Sequence, residues 1–85
     1  MKQLLWNLVK SKRLKRTRGV SFEEIIQSKL IGIKAHPKRE QQNIMLFEYK
    51  SYIWVVPYVK QGDAVFLKTL FPSRKYTKMR KRGEL

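Results

Sequence analysis

The chain has 85 residues, with 20 lysines and arginines against 6 aspartates and glutamates, one histidine and no cysteine, for a formal net charge of +14. That length sets one small domain, able to bury roughly 60–65% of its unfolded surface. The missing cysteines exclude disulfide staples and thiolate metal sites, and a lone histidine argues against a mononuclear metal centre.

Residues 1–20 hold seven basic and no acidic side chains, residues 21–60 six and four, and residues 61–85 seven and two. The charge sits in the two ends, where self-repulsion works against a compact fold, so an anionic partner is expected. Nucleic acid is the commonest such partner; an acidic protein or an anionic membrane surface are the alternatives. The apolar run from Leu4 to Val9 is too short for a secretory leader and is broken by Asn7. No run nears the ~20 apolar residues of a membrane span. The expectation is a soluble, cytoplasmic chain with no membrane association.

In chain order, Trp6 to Arg18 reads as a helix, with Leu5, Leu8, Val9 and Leu14 at a loose 3–4 spacing and Gly19 just past its end. Ser21 followed by Glu24 is a capping box, so a second helix starts there and carries Phe22, Ile25, Ile26 and Leu30 as its apolar stripe. Ile31 to His36 alternates like a short strand, and "HPKREQQ" is a loop fixed by Pro37. "NIMLFEYK", "YIWVVPYVK" and "AVFLKTLF" read as three further strands, the first two joined by a tight turn near Lys50-Ser51 and the last two by a three-residue "QGD" loop. Pro57 cannot donate to a ladder, so it marks a bulge or an unpaired side of its strand. Ser73 caps a final basic helix that runs to Arg82, with Gly83 ending it. The predicted fold class is α+β: two N-terminal helices packed on a four-stranded antiparallel sheet, with a basic C-terminal helix, in a single domain over residues 1–85.

Pairing through these turns sorts the side chains into two faces. Ile44, Leu46, Ile53, Val55, Val59, Val65, Leu67 and Phe71 form an aliphatic face suited to the second helix. Phe47, Tyr49, Tyr52, Trp54, Tyr58, Phe66 and Lys68 form an aromatic face with basic company, shared by Lys34 and His36.

Arginine, lysine, tyrosine, one histidine and a few glutamates around a sheet can bind RNA, and can also cut it without a metal or other cofactor. The ribose 2′-hydroxyl is the nucleophile. The protein needs only to deprotonate it, stabilise charge on the phosphate and protonate the leaving oxygen. Arginine suits the second task because its planar fork holds a phosphate bidentately.

"WNLVKSKRLKRTRGVSFEE", from Trp6 to Glu24, resembles the opening of BrnT-type toxins, where a tryptophan and an acid precede a basic helix and a G-[VI]-S-F-E-E turn. "GDAVFLKTLFPSRKYTK", from Gly62 to Lys78, resembles that family's last hairpin strand running into an arginine-lysine turn and helix. The resemblance implies a RelE-like ribonuclease fold and a messenger-RNA-cleaving toxin. It also implies a small acidic antitoxin, of the ribbon-helix-helix class, whose complex with the toxin binds operator DNA. The sequence departs from the pattern at Asn7, where the family carries an acid, and at Arg18, where it carries histidine. The stretch Tyr58 to Gln61 lacks the family's histidine-acid pair.

The matching turn makes Arg74, with Lys75, the leading candidate for holding the scissile phosphate. The bland alternative is a solvated first helical turn. His36, Glu48 and Tyr58 are the candidates for moving protons, and the residues alone do not choose among them. His36 is a candidate because an unperturbed imidazole changes charge near neutral pH. Apolar neighbours around Glu48 would raise its pKa, although such a residue more often pairs with a cation at a sheet edge. Tyr58, near a turn, is expected to be the most exposed aromatic, and Tyr49, Tyr52 and Trp54 could stack bases with it. Lys34, Lys68, Lys78, Arg80, Lys12, Arg13 and Arg16 are candidate RNA-contacting charges, within a collar from Lys10 to Arg18 and a basic tail. A non-catalytic RNA- or DNA-binding module, such as a ribosome-associated factor or a repressor subunit, fits the composition equally well.

Overall fold

Caps and turns written into the sequence set most element ends. A computed structural model of the chain describes residues 3–40 and 42–85, leaving Met1, Lys2 and the loop residue Gln41 outside. The elements are β1 (Gln3–Leu5), α1 (Leu8–Arg18), α2 (Phe22–Ile25), β2 (Lys29–Ala35), β3 (Asn43–Tyr49), β4 (Tyr52–Gln61), β5 (Ala64–Leu67), β6 (Phe71–Pro72) and α3 (Arg74–Lys81). Asn7 caps α1 by accepting from the Lys10 N–H, which leaves Trp6 outside the helix rather than at its start. Gly19 closes α1 in the left-handed region at φ 85° and donates its N–H to the Lys15 carbonyl. The expected capping box is present: Ser21 accepts from the Glu24 N–H, and Glu24 reaches back to the Ser21 N–H. Helix α2 is a single turn. The Ser28 hydroxyl donates to the Ile25 carbonyl at 2.5 Å, and the chain enters β2, so Leu30 belongs to a strand and not to a helical stripe.

The sheet corrects the expected topology. It has six strands in the order β1-β5-β4-β3-β2, with β6 beside β4, and it is mixed: β1 runs parallel to β5 while the other pairs are antiparallel. A three-residue strand shows no alternation, and its partner lies near the other end of the chain (Gln3 opposite Ala64), so local patterning does not reveal it. The β3–β4 connection is the predicted tight turn, with Lys50 at φ 51° and Ser51 at φ 64°. The next connection is shorter than predicted. Gln61 pairs with Ala64, leaving only Gly62 and Asp63 in the loop. That one-residue slip moves Val65 and Leu67 onto the face of Tyr58 and turns Phe66 onto the face of Val59.

The two faces are covered the opposite way from the expectation. Helices α1 and α2 lie on the aromatic face, where Leu14, Val20, Phe22 and Ile25 pack with Met45, Phe47, Val56, Tyr58, Val65 and Leu67. The aliphatic quartet Ile44, Leu46, Ile53 and Val55 packs instead with Ile31, Tyr76 and Leu85, and is covered by α3 and the chain end. Phe47 and Tyr58 are buried, so the aromatic face is a core and not an open platform for bases. Its large rings fill the space beneath two helices, and each fully buried side chain of this size stabilises the fold by roughly 1.5–3 kcal/mol. Along α1 only Ser11 and Leu14 are buried, and Leu8 and Val9 are exposed despite their spacing.

Pro57 acts as a break in the ladder, the second of the two expected alternatives. On that edge of β4, Ile53 accepts from the Ser73 N–H, Val55 pairs with Phe71, and the Pro57 carbonyl accepts from the Lys68 N–H at 2.8 Å. The proline nitrogen faces the same edge and has nothing to donate. The chain leaves the sheet there as Lys68, Thr69 and Leu70, between β5 and β6. Leu70 dips fully into the core, while Lys68 stays outside. Among the described residues no helix is long and apolar enough to cross a membrane.

Candidate nucleic-acid interface

The break at Pro57 opens a hollow of about 270 Å³. Lys10 enters it from the first turn of α1, His36 and Arg39 from the loop after β2, and Lys68 and Thr69 from the segment that has left the sheet. Phe71 forms the far wall and also borders a second hollow of about 270 Å³, whose apolar walls are Ile44, Val55 and Tyr76 and whose rim carries Lys38 and Lys75. His36 borders both hollows as well, so the two are neighbours that meet at His36 and Phe71. Among the described residues no carboxylate lines either one.

The charges in the first hollow act on one another. Burial, then the positive charges of Arg13, Lys68 and Arg18, push the Lys10 ammonium below the ordinary lysine value. Desolvation and like charge both disfavour the protonated amine. A group shifted by burial and specific neighbours in a cleft is a candidate for function. Arg18, where the resemblance led one to expect histidine, donates from its guanidinium to the Leu70 carbonyl and braces the segment that carries Lys68.

The loop holds His36 in one orientation. Its Nδ1 accepts from the main-chain N–H groups of Lys38 at 3.1 Å and Arg39 at 3.2 Å. With Nδ1 occupied as an acceptor, the neutral ring carries its proton on Nε2. It therefore presents a hydrogen-bond donor and not a free basic nitrogen. As a result, the His36 Nε2–H can donate to a phosphate oxygen, and the ring's basic nitrogen, Nδ1, is taken up by the loop amides.

The predicted site residues divide into those that converge and those that do not. His36, Lys68 and Lys75 line the paired hollows. Arg74 is exposed at the start of α3 and lines none of the hollows described for the molecule, although its neighbour Lys75 does. Lys34 borders a separate hollow with Ile31, Ile33 and Leu85, away from His36. Glu48 lies on the face covered by α3 and meets the Arg80 guanidinium at 3.6 Å, so these two charges answer each other. The expectation for Tyr58 is corrected: it is 3% exposed, locked in the core, with its hydroxyl accepting from Asn43 Nδ2 at 3.3 Å. Lys12, Arg13 and Arg16 are exposed along α1, and Lys78 along α3, without ion-pair partners among the described residues.

Two residues were missed as members of a site, Arg39 and Phe71, and Lys10 was expected only as part of the α1 collar. Arg39 could have been found beside His36 in the same loop, and Phe71 as an aromatic beside Pro72. Lys10 had no local signal beyond its place in a basic helix.

The stretch resembling the toxin family's opening builds scaffold instead. Trp6 Nε1 donates to Glu23 at 2.9 Å, and the Ser11 hydroxyl donates to the other carboxylate oxygen at 2.5 Å while accepting from the Phe22 N–H. Hydrogen bonds from Ser11 and then Trp6 hold the Glu23 carboxyl below the ordinary carboxylate value. Lys15 first, then the Ser21 N–H, does the same for Glu24. Among the described residues no cluster of three His, Asp or Glu side chains could hold a metal ion.

No protein-family model matches the chain, and no curated protein does. Among solved structures, the crystal structure of the ribonuclease toxin BrnT from Brucella abortus superposes over 86% of this chain and 97% of its own, with a TM-score of 0.57 at 15% sequence identity. The two chains share a fold: helices and a mixed sheet in the BrnT arrangement.

Proposed function

We propose that this chain is a metal-independent endoribonuclease of the toxin type, cutting messenger RNA in the cytoplasm and held in check by a small acidic antitoxin. The observation that carries the reading is the hollow at Pro57, where Lys10, Arg39 and Lys68 converge on His36. The fold shared with a ribonuclease toxin supports it.

The chemistry uses the RNA's own 2′-hydroxyl. Its oxygen attacks the adjacent phosphorus, the O2′–P bond forms, the P–O5′ bond breaks, and the products carry a 2′,3′-cyclic phosphate and a 5′-hydroxyl. Lys10, whose pKa is pushed below the ordinary lysine value by burial and like charge, takes the 2′-hydroxyl proton. The His36 Nε2–H and the Arg39 fork neutralise charge on the non-bridging oxygens. The Lys68 ammonium supplies a proton to the departing O5′. Lys75 and, beside it, Arg74 take a neighbouring phosphate, while Lys12, Arg13, Arg16 and Lys78 steer the strand. An acidic antitoxin segment, of a ribbon-helix-helix protein that also binds operator DNA, occupies the same basic hollow in the repressed state.

The test is tightly controlled expression of the chain beside Lys10→Met. Growth arrest with RNA fragments ending in cyclic phosphate, lost in the variant, supports the reading. A second reading, a binding module that does not cut, draws on one observation: His36 has its Nδ1 occupied and no carboxylate beside it among the described residues. It predicts normal growth and intact transcripts that co-purify with the protein.

A further inference from the structure

We propose that the second hollow receives one unstacked base of a single-stranded RNA whose adjoining phosphate lies in the first, so that the molecule grips RNA as a nucleotide astride Phe71. The inference rests on the function proposed above, and deepens it by assigning the base a place.

A surface built only to hold phosphates needs charge and hydrogen-bond donors, and has no use for an apolar recess. Here the recess is present beside the cations, sharing Phe71 and His36 with their hollow. Ile44, Val55, Phe71 and Tyr76 form its walls, and Lys38 and Lys75 stand on its rim. Its volume of about 270 Å³ lies just below the range of roughly 300–1,000 Å³ typical of drug-sized ligands, which suits a single heterocycle. Phe71 is 38% exposed and borders both hollows.

The shared wall at Phe71 is rigid. Phe71 pairs with Val55 in the sheet, and the Ser73 N–H donates to the Ile53 carbonyl at 2.9 Å just beyond it. A flat aromatic face held by main-chain pairing, with phosphate ligands on one side and an apolar slot on the other, matches how proteins take single-stranded RNA: bases stack on aromatic rings and the backbone tracks cations. A duplex keeps its bases paired and stacked, so it cannot fill the slot. Inorganic phosphate or another polyanion would engage the rim alone.

The experiment measures binding by fluorescence anisotropy, using 2′-O-methylated tetranucleotides that cannot be cleaved. One carries four bases; the other has the same backbone and charge but is abasic throughout. The base-bearing strand is expected to bind at least about fivefold more tightly, as one stacked base provides. Phe71→Ala is expected to shrink that ratio, and Phe71→Leu, which keeps the apolar packing, guards against misfolding of the smaller variant. Equal affinity for the two strands, or a ratio unchanged in both Phe71 variants, overturns the base slot and leaves the phosphate hollow standing. Failure of both strands to bind overturns the base slot and the proposed function together.

Discussion

The Ser11 hydroxyl donates to the Glu23 carboxylate at 2.5 Å from inside the core, tying α1 to α2. The same oxygen accepts from the Phe22 N–H, so one buried side chain satisfies groups on both sides of the helix junction. Ser11→Ala would leave that amide unpaired in the core and cost about 1–3 kcal/mol. Urea unfolding is the measurement, with Leu8→Ala, on the exposed side of the same helix, as the control expected to change little.

Acid should weaken the same junction. Glu23 and Glu24 both have folded pKa values below the ordinary 4.5. A depressed folded value means the unfolded chain binds protons first on acidification, so stability rises with pH in that window. The contribution is complete above the ordinary carboxylate range and is lost as pH falls through the lowered folded values. Denaturation midpoints should drop between about pH 5 and pH 3. The slope should flatten in Glu23→Gln, and an unchanged slope would remove Glu23 as its source.

Lys50 and Ser51 hold the β3–β4 turn at φ 51° and 64°, a conformation that favours glycine. Ser51→Gly should therefore stabilise the fold by about 1 kcal/mol, since the left-handed region costs other residues roughly that much. Thermal unfolding should show a rise of about 4–8 °C for a domain of this size.

Of the candidates for moving protons, Glu48 and Tyr58 should prove dispensable. Glu48→Gln breaks a half-exposed pair with Arg80 and should cost less than about 1 kcal/mol while leaving RNA cleavage intact. Tyr58→Phe removes a buried hydroxyl whose only described partner is Asn43, and should likewise leave cleavage unchanged. Loss of cleavage in either soluble variant would move the site away from the Pro57 hollow.

Features fixed by neighbouring residues were legible in the sequence. The Ser21–Glu24 box, Gly19, the Lys50-Ser51 turn and the three central strands all depend on contacts a few residues apart. The parallel β1 depends on a partner at the far end of the chain, and its three residues carry no period. The faces of β5 failed on a single residue of loop length, because a strand's side chains alternate and one slip exchanges them. The site divides the same way. His36, Lys68 and Lys75 stood out by residue type, whereas Lys10, Arg39 and Phe71 join them where Pro57 interrupts the ladder and the chain leaves the sheet at Lys68 and Thr69.

Everything functional depends on RNA entering that interruption. The direct measurement is an amide and side-chain NMR titration with an uncleavable 2′-O-methylated tetranucleotide. Shifts centred on Lys10, His36, Arg39, Lys68 and Thr69 are the expected result. Shifts confined to the outer face of α1 or to Lys78, with the His36 ring and the Lys68–Thr69 amides unmoved, would contradict it.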